Sequence, residues 1–119
     1  VLLVDDEDMV REVARRMLER EGFVVLTAAD GREGLDVYRA NADAIDLVIL
    51  DMAMPRMGGE EAYGELRAIK SDVRVLLSSG YSETQISEHM KNSGLGGFIQ
   101  KPYEIETFLD AVYTILERE

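Results

Sequence analysis

The sequence contains no cysteine, few basic residues and no long apolar run. The absence of cysteine excludes disulfide bonds and thiolate metal sites, and it makes a reducing cytoplasm the expected location. The 13 basic residues stand against 24 acidic ones, for a net charge of -11, which argues against binding to a nucleic-acid backbone. The apolar runs are far shorter than the ~20 residues that span a bilayer, so we expect no membrane segment and no membrane partner.

The length and composition are typical of one globular domain. A chain of 119 residues buries roughly two thirds of its unfolded surface in a single core. Its 46% of hydrophobic and 31% of charged residues are ordinary for a soluble protein. We therefore predict one domain over residues 1–119. The chain starts with Val1 inside an apolar run, and we expect it to be part of a longer protein.

Apolar runs alternate with segments of helical spacing. Most of the runs are continuously apolar and rich in β-branched residues, as expected for parallel strands covered by helices on both faces. The predicted strands are residues 1–4, 23–27, 45–50, 73–78 and 97–100. The predicted helices are residues 8–21, 31–40, 59–69, 83–92 and 104–118. This alternation predicts a doubly wound α/β sandwich, because parallel strands need crossover connections.

Two of the predicted helices carry a clear apolar face. In the first helix this face comprises Met9, Val10, Val13, Met17 and Leu18, and it lies opposite a charged face that begins with Arg11. In the last helix it comprises Ile105, Phe108, Leu109, Val112 and Leu116. We expect both faces to pack on the sheet.

Polar residues stand at the ends of four predicted strands. They are Asp5 and Asp6, Asp51, Ser78 and Ser79, and Lys101. The carboxyl ends of parallel strands meet at one edge of the sheet, where ligands bind in such folds. Each residue alone has a simpler explanation, such as a helix cap or a solvated strand end. Their convergence from four strands favours a functional site.

The predicted site suits a hard cation and a phosphoryl group. Three neighbouring carboxylates repel one another, and ligands that are all oxygen select an ion such as Mg²⁺. Mg²⁺ commonly binds a phosphoryl oxygen as well, which makes phosphoryl transfer the natural chemistry. Lys101 and the Ser79 hydroxyl would contact other oxygens of that group, and one carboxylate could be the nucleophile.

These residues resemble the receiver domains of two-component response regulators. The similarity rests on "VDDE", "DMAMPRMGG", "SSGY" and "QKPY", which follow the first, third, fourth and fifth predicted strands, and it extends over the whole chain. It implies a flavodoxin-like (βα)5 sandwich with a five-stranded parallel sheet in the order 2-1-3-4-5. It also implies a domain that catalyses its own phosphorylation and dephosphorylation, with a sensor histidine kinase or phosphotransfer domain as partner.

The resemblance implies a role for each residue of the site. Asp51 would accept the phosphoryl group from a histidine of the partner. Asp6, Asp51 and the main-chain carbonyl of Ala53 would bind Mg²⁺ directly, whereas Asp5 would act through a water. Lys101 would contact the phosphoryl group.

The resemblance also implies a conformational switch. Ser79 would be the switch hydroxyl, chosen over Ser78 because the small residue Gly80 follows it. Phe98, three residues before the lysine, is either an ordinary core aromatic or the second switch residue, and the sequence leaves both interpretations open. In the family the switch alters the surface formed by the fourth helix, the fifth strand and the fifth helix. The same surface could support a homodimer.

Two other functions remain open at this stage. Phosphatases of the haloacid dehalogenase type also use an aspartate nucleophile with Mg²⁺, but they place a second aspartate two residues later, where this chain has Ala53. A degenerate receiver that only binds a partner is the third interpretation, although the acidic residues, Ser79 and Lys101 are all present. The stretches "LLSSGY" and "GFIQKPY" look more like receivers of hybrid sensor histidine kinases than receivers fused to DNA-binding domains.

We predict slow self-dephosphorylation of the domain. The positions two residues after Asp51 and Ser79 are Ala53 and Tyr81, and neither side chain offers an acid or amide to orient a hydrolytic water. Replacing Ala53 with Asn or Glu should shorten the half-life of the phosphorylated form, measured by intact mass over time. An unchanged half-life in both variants would contradict this explanation.

Overall fold

Strands and helices alternate along the chain. The computed structural model describes residues 1–52, 57–79, 97–100 and 104–117, and within these ranges no helix is both long and apolar enough to cross a membrane. The elements are β1 (Leu2–Val4), α1 (Asp8–Arg20), β2 (Leu26–Ala28), α2 (Gly31–Asn41), β3 (Val48–Asp51), α3 (Gly59–Ile69), β4 (Val75–Ser79), β5 (Gly97–Gln100) and α4 (Ile105–Leu116). The predicted helix over 83–92 lies outside the described residues.

The five strands form one parallel sheet in the order β2-β1-β3-β4-β5, which confirms the predicted topology. β3 is the central strand, and Asp51 is its last residue. β1 lies on one side of β3, with Leu3 opposite Ile49, and β4 lies on the other, with Ser78 opposite Asp51. The ends of β1, β3 and β4 therefore meet at the carboxyl edge of the sheet.

Helices cover both faces of the sheet and bury two apolar clusters. The first core cluster joins one face of the sheet to α2 and α3; it includes Leu2, Val4, Leu35, Tyr38, Val48, Leu50, Tyr63, Leu66, Val75 and Leu77. The second core cluster joins the other face to α1 and α4; it includes Leu3, Ala14, Leu18, Leu47, Ile49, Leu76, Ile99, Phe108, Val112 and Ile115. Consecutive strand residues alternate between the two clusters, as the pleat of a strand requires.

The predicted core face of α1 is partly wrong. Met9 is 82% and Val13 50% exposed, and the residues of this helix that are buried are Ala14 and Leu18. Ala14 has a small side chain, so α1 packs closely on the sheet along a narrow stripe whose residues are four apart. Met17 packs only at the margin of the second core cluster.

The predicted core face of α4 needs a similar correction. Ile105, the first residue of the helix, is 54% exposed. The buried residues are Phe108, Val112 and Ile115. A Cβ atom at Gly97 would lie 3.1 Å from Cδ1 of Ile115, so Ile115 packs against β5, a contact that the predicted face did not include.

The second strand was predicted too early in the chain, at residues 23–27 instead of Leu26–Ala28. The backbone N–H of Phe23 donates to the Leu18 carbonyl at 3.1 Å, and this bond closes the end of α1 instead of joining the sheet. Val24 is 81% exposed. The Val24 carbonyl accepts a hydrogen bond from the N-terminal amino group of Val1, at 3.0 Å. Pairing with β1 itself begins at Leu26, which lies opposite Leu2 and donates its N–H to the Val1 carbonyl at 2.9 Å.

Two helical glycines should respond oppositely to alanine. A Cβ atom at Gly34 in α2 would lie 2.8 Å from Cγ2 of the buried, β-branched Val4, whereas one at Gly64 in α3 would meet no atom within 4 Å. Gly34→Ala should lower the free energy of unfolding by about 1–3 kcal/mol through overpacking. Gly64→Ala, the matched control, should raise it by about 0.5–1 kcal/mol. Urea unfolding measures both, and equal shifts in the two variants would contradict the close packing of Gly34 on Val4.

Candidate functional site

Three carboxylates lie together at the carboxyl edge of the sheet. Asp5, Asp6 and Asp51 each offer an oxygen, and these oxygens lie within 4.8 Å of one another. Asp5 and Asp51 are buried, at 1% and 3% exposure, and Asp6 is exposed. The sequence predicted this juxtaposition from the strand ends, and the structure brings all three residues together.

Asp51 is held by the centre of the sheet. It ends the strand Val48–Asp51, whose four residues are all buried. The next residue, Met52, donates its backbone N–H to the Ser78 carbonyl of β4 at 2.8 Å. The backbone is therefore fixed on both sides of the Asp51 side chain, and the direction of its carboxylate is set by the sheet rather than by a loop.

The chain returns close to Asp51 at the start of α3. The Gly59 N–H donates to the Met52 carbonyl at 2.8 Å. A Cβ atom at Gly59 would lie 2.6 Å from both the Asp51 carbonyl oxygen and Cα of Met52. Only glycine fits at this distance from backbone atoms, so Gly59 is a structural requirement of the site.

Asp5 and Asp6 lie in the turn between β1 and α1. The Asp5 N–H donates to the Ala28 carbonyl of β2 at 3.1 Å, which extends the sheet contact past the end of β1. Oδ1 of Asp5 accepts a hydrogen bond from the Glu7 N–H at 2.9 Å. This side-chain bond to the residue two positions on is typical of aspartate in turns, and it orients Asp5 inward while Asp6 remains open to solvent.

Arg11 is a residue of the site that the sequence interpretation assigned to the charged outer face of the helix. Its Nη1 donates to the Asp5 carbonyl oxygen at 2.7 Å, and its Nη2 pairs with Asp8. The Arg11 side chain is only 20% exposed. It therefore clamps the turn that carries Asp5 and brings one positive charge to an acidic region. Its position three residues after Asp8 is the only sequence signal for this pairing.

The donor set fits one Mg²⁺ ion. Mg²⁺ binds oxygen at about 2.0–2.1 Å in octahedral geometry, so two oxygens on opposite sides of one ion lie about 4.2 Å apart. The 4.8 Å limit on the separation of the Asp5, Asp6 and Asp51 oxygens exceeds this value by a few tenths of an ångström. The three carboxylates are therefore the residues that would hold such an ion.

The other predicted residues are described only in part. Ser79 is the last residue of β4 and pairs with Gln100 of β5 in the sheet. Phe98 lies on β5 opposite Leu77 and packs, partly buried, against the first core cluster. Ala53 and Lys101 lie outside the described residues. The roles of all four in metal binding, phosphoryl contact and switching stay predictions.

Comparison with known proteins identifies a family. A model described as the response regulator receiver domain matches residues 1–113. The chain is 34% identical over 119 residues to the sensor kinase CckA of Brucella abortus, a match that covers 100% of this chain and 13% of that kinase. It also spans about half the length of two curated relatives, the response regulators MprA of Mycolicibacterium vanbaalenii and UvrY of Escherichia coli.

Solved structures agree with this match. The receiver domain of the hybrid histidine kinase CckA superimposes with a TM-score of 0.82 at 37% identity, covering 98% of this chain and 97% of that one. The response regulator TrrA of Thermotoga maritima, in complex with Mg²⁺ and BeF, superimposes with a TM-score of 0.84 at 31% identity, covering 96% of each chain.

Mg²⁺ should stabilise the folded protein through this cluster. A ligand that binds only the folded state at ten times its Kd adds about 1.4 kcal/mol to the free energy of unfolding. We expect this gain for the wild type in urea titrations with and without MgCl₂, and its loss in Asp51→Asn. Asp43→Asn is the control, because Asp43 is exposed and lies before β3, at the other edge of the sheet. An equal gain in all three proteins would place the ion elsewhere.

Proposed function

Because the chain belongs to the response regulator receiver domain family, we propose that it is the phosphoacceptor of a two-component phosphorelay and that Asp51 receives the phosphoryl group. The observation that carries this proposal is the burial of Asp51, at 3% exposure, beside two further carboxylates within 4.8 Å. Because the cluster is negatively charged, an Asp51 nucleophile needs a cation to bring an anionic phosphoryl group near it.

The geometry of Asp51 suits a nucleophile. Its backbone is fixed by β3 and by the hydrogen bond from the Met52 N–H to the Ser78 carbonyl. Asp51 therefore loses little conformational entropy when the phosphoryl donor binds. In the transfer, an oxygen of Asp51 attacks phosphorus as the bond between phosphorus and the donor histidine nitrogen breaks. The electron pair of that bond stays on the imidazole, which takes up a proton, and Asp51 becomes an aspartyl phosphate.

Mg²⁺ is the proposed cofactor, with Asp6, Asp51 and the Ala53 carbonyl as direct ligands and Asp5 as a ligand through water. When bound, it neutralises the charge on the transferring phosphoryl group. The fit of the carboxylates to one ion supports this assignment, and the TrrA structure holds Mg²⁺ with BeF. Arg11 keeps the turn with Asp5 in place through its bond to the Asp5 carbonyl.

The remaining assignments follow the family resemblance. We assign Lys101 and Ser79 to contacts with the phosphoryl oxygens and Phe98 to the switch. The partly buried position of Phe98 against the first core cluster also suits an ordinary core aromatic. The proposed output is a change in the surface that includes residues 83–92, β5 and α4, and that surface is also the proposed homodimer contact.

The proposed partner is a sensor histidine kinase or a phosphotransfer domain. The similarity to CckA, a sensor kinase of which the chain spans 13% and whose receiver domain is described as that of a hybrid histidine kinase, supports a hybrid kinase as the parent protein. Residues 1–119 would form one receiver domain of that protein. A cytoplasmic location and the absence of nucleic-acid binding remain predictions from the composition.

Phosphorylation by a small donor tests this function directly. Incubation with acetyl phosphate and Mg²⁺ should add one phosphoryl group to the wild-type chain, measured by intact-mass spectrometry. The adduct should be absent in Asp51→Asn and in wild-type samples treated with EDTA, because the reaction needs both the nucleophile and the cation.

Two other results would overturn the proposal. Steady hydrolysis of acetyl phosphate without an adduct would indicate a phosphatase. Neither an adduct nor hydrolysis would indicate a domain that only binds its partner. Asp43→Asn serves as the charge-matched control and should be phosphorylated like the wild type.

A further inference from the structure

Among the described residues, the Ser78 hydroxyl is a buried polar group without a hydrogen-bond partner. Ser78 is 1% exposed, and within the part of the chain that the structure describes its Oγ makes no hydrogen bond. Leaving a buried donor unpaired is costly, and such groups in native proteins call for an explanation. The family resemblance assigns the switch to Ser79 and gives Ser78 no role.

Ser78 lies directly beside Asp51. The two residues are opposite one another in the pairing of β3 with β4, and neighbouring strands are about 4.8 Å apart. Ile49 and Leu76, two residues earlier on each strand, both belong to the second core cluster. Because side chains two residues apart point to the same face, the Ser78 and Asp51 side chains are on one side of the sheet.

Of Ser78, only the side chain is able to change its conformation. Its carbonyl accepts the Met52 N–H at 2.8 Å, and its backbone belongs to a strand paired on both sides. Rotation about the Cα–Cβ bond between staggered positions is therefore the movement that remains. That rotation turns the hydroxyl relative to Asp51 without moving the sheet.

We propose that the Ser78 hydroxyl is a donor reserved for the phosphorylated state, in which it bonds an oxygen of the phosphorylated Asp51 side chain. This inference rests on the proposed role of Asp51. An unpaired hydroxyl destabilises the unphosphorylated domain only, so pairing it after phosphorylation shifts the equilibrium toward the phosphorylated form. Ser78 would thus raise the affinity of the site for a phosphoryl group without contacting a partner protein.

Two measurements on Ser78→Ala test the inference. Unfolding in urea without Mg²⁺ or phosphoryl donor should show a midpoint equal to or higher than that of the wild type, because a buried unpaired hydroxyl is removed. The affinity for beryllofluoride with Mg²⁺, a stable mimic of the phosphoryl group, should fall about three- to tenfold through the lost hydrogen bond. A merely structural role would lower the unfolding midpoint as well.

A matched pair separates the hydroxyl from side-chain volume. Ser78→Thr and Ser78→Val have the same shape, and only the threonine keeps the donor. The threonine variant should bind beryllofluoride about three- to tenfold more tightly than the valine variant. Equal affinities, or an unfolding midpoint of Ser78→Ala below that of the wild type, would overturn the inference.

The proposed function and this inference fail in different ways. If the wild type binds beryllofluoride and takes a phosphoryl group from acetyl phosphate while the threonine and valine variants bind equally, only the role of Ser78 is wrong. If the wild type does neither, the role of Asp51 is wrong, and the role of Ser78 falls with it.

Discussion

Electrostatic repulsion among Asp5, Asp6 and Asp51 is the constraint on which this structure depends. At the 4.8 Å limit of their separation, two unit charges in a medium of effective dielectric constant 20 repel by about 3 kcal/mol. A domain is stable by only about 5–15 kcal/mol, so these carboxylates need strong backbone support. β1 and β3 provide the support through buried strands, and Arg11 fixes the turn that follows β1.

The parts of the fold that follow from local pattern could be predicted from the sequence. A buried parallel strand is typically a continuous apolar run, so β3 could be located from the sequence. It was predicted at residues 45–50 and spans Val48–Asp51 instead, with Asp51 as its last residue. The same signal misplaced β2, because Phe23 and Val25 are apolar for another reason: they pack on the second core cluster before the chain joins the sheet. Helical periodicity located α1 but not the residues that it buries. The close packing of this helix on the sheet at Ala14 depends on the shape of the sheet, which periodicity does not report.

The residues of the candidate site that stand at strand ends could be predicted from the sequence. The contacts that other segments make with these residues could not. Three carboxylates at the ends of neighbouring parallel strands must converge. The approach of Gly59 to the Asp51 carbonyl and the bond from Arg11 to the Asp5 carbonyl involve backbone atoms, which carry no sequence signal. The Ser78 hydroxyl, which has no hydrogen-bond partner among the described residues, could not be identified from the sequence either, because an apolar run that ends in two serines does not show which side chain lies beside Asp51.

The position of β4 explains how an event at Asp51 can reach the rest of the molecule. β4 pairs with β3 on one side and β5 on the other, so Asp51, Ser78 and Ile99 form one row across the sheet. Val75, Leu76 and Leu77 of β4 are fully buried, which leaves the strand little room to shift. On its other side β4 pairs with β5, which carries Phe98 in the row before Ile99. The sheet itself thus connects the acidic cluster with the strand that bears the proposed switch residue.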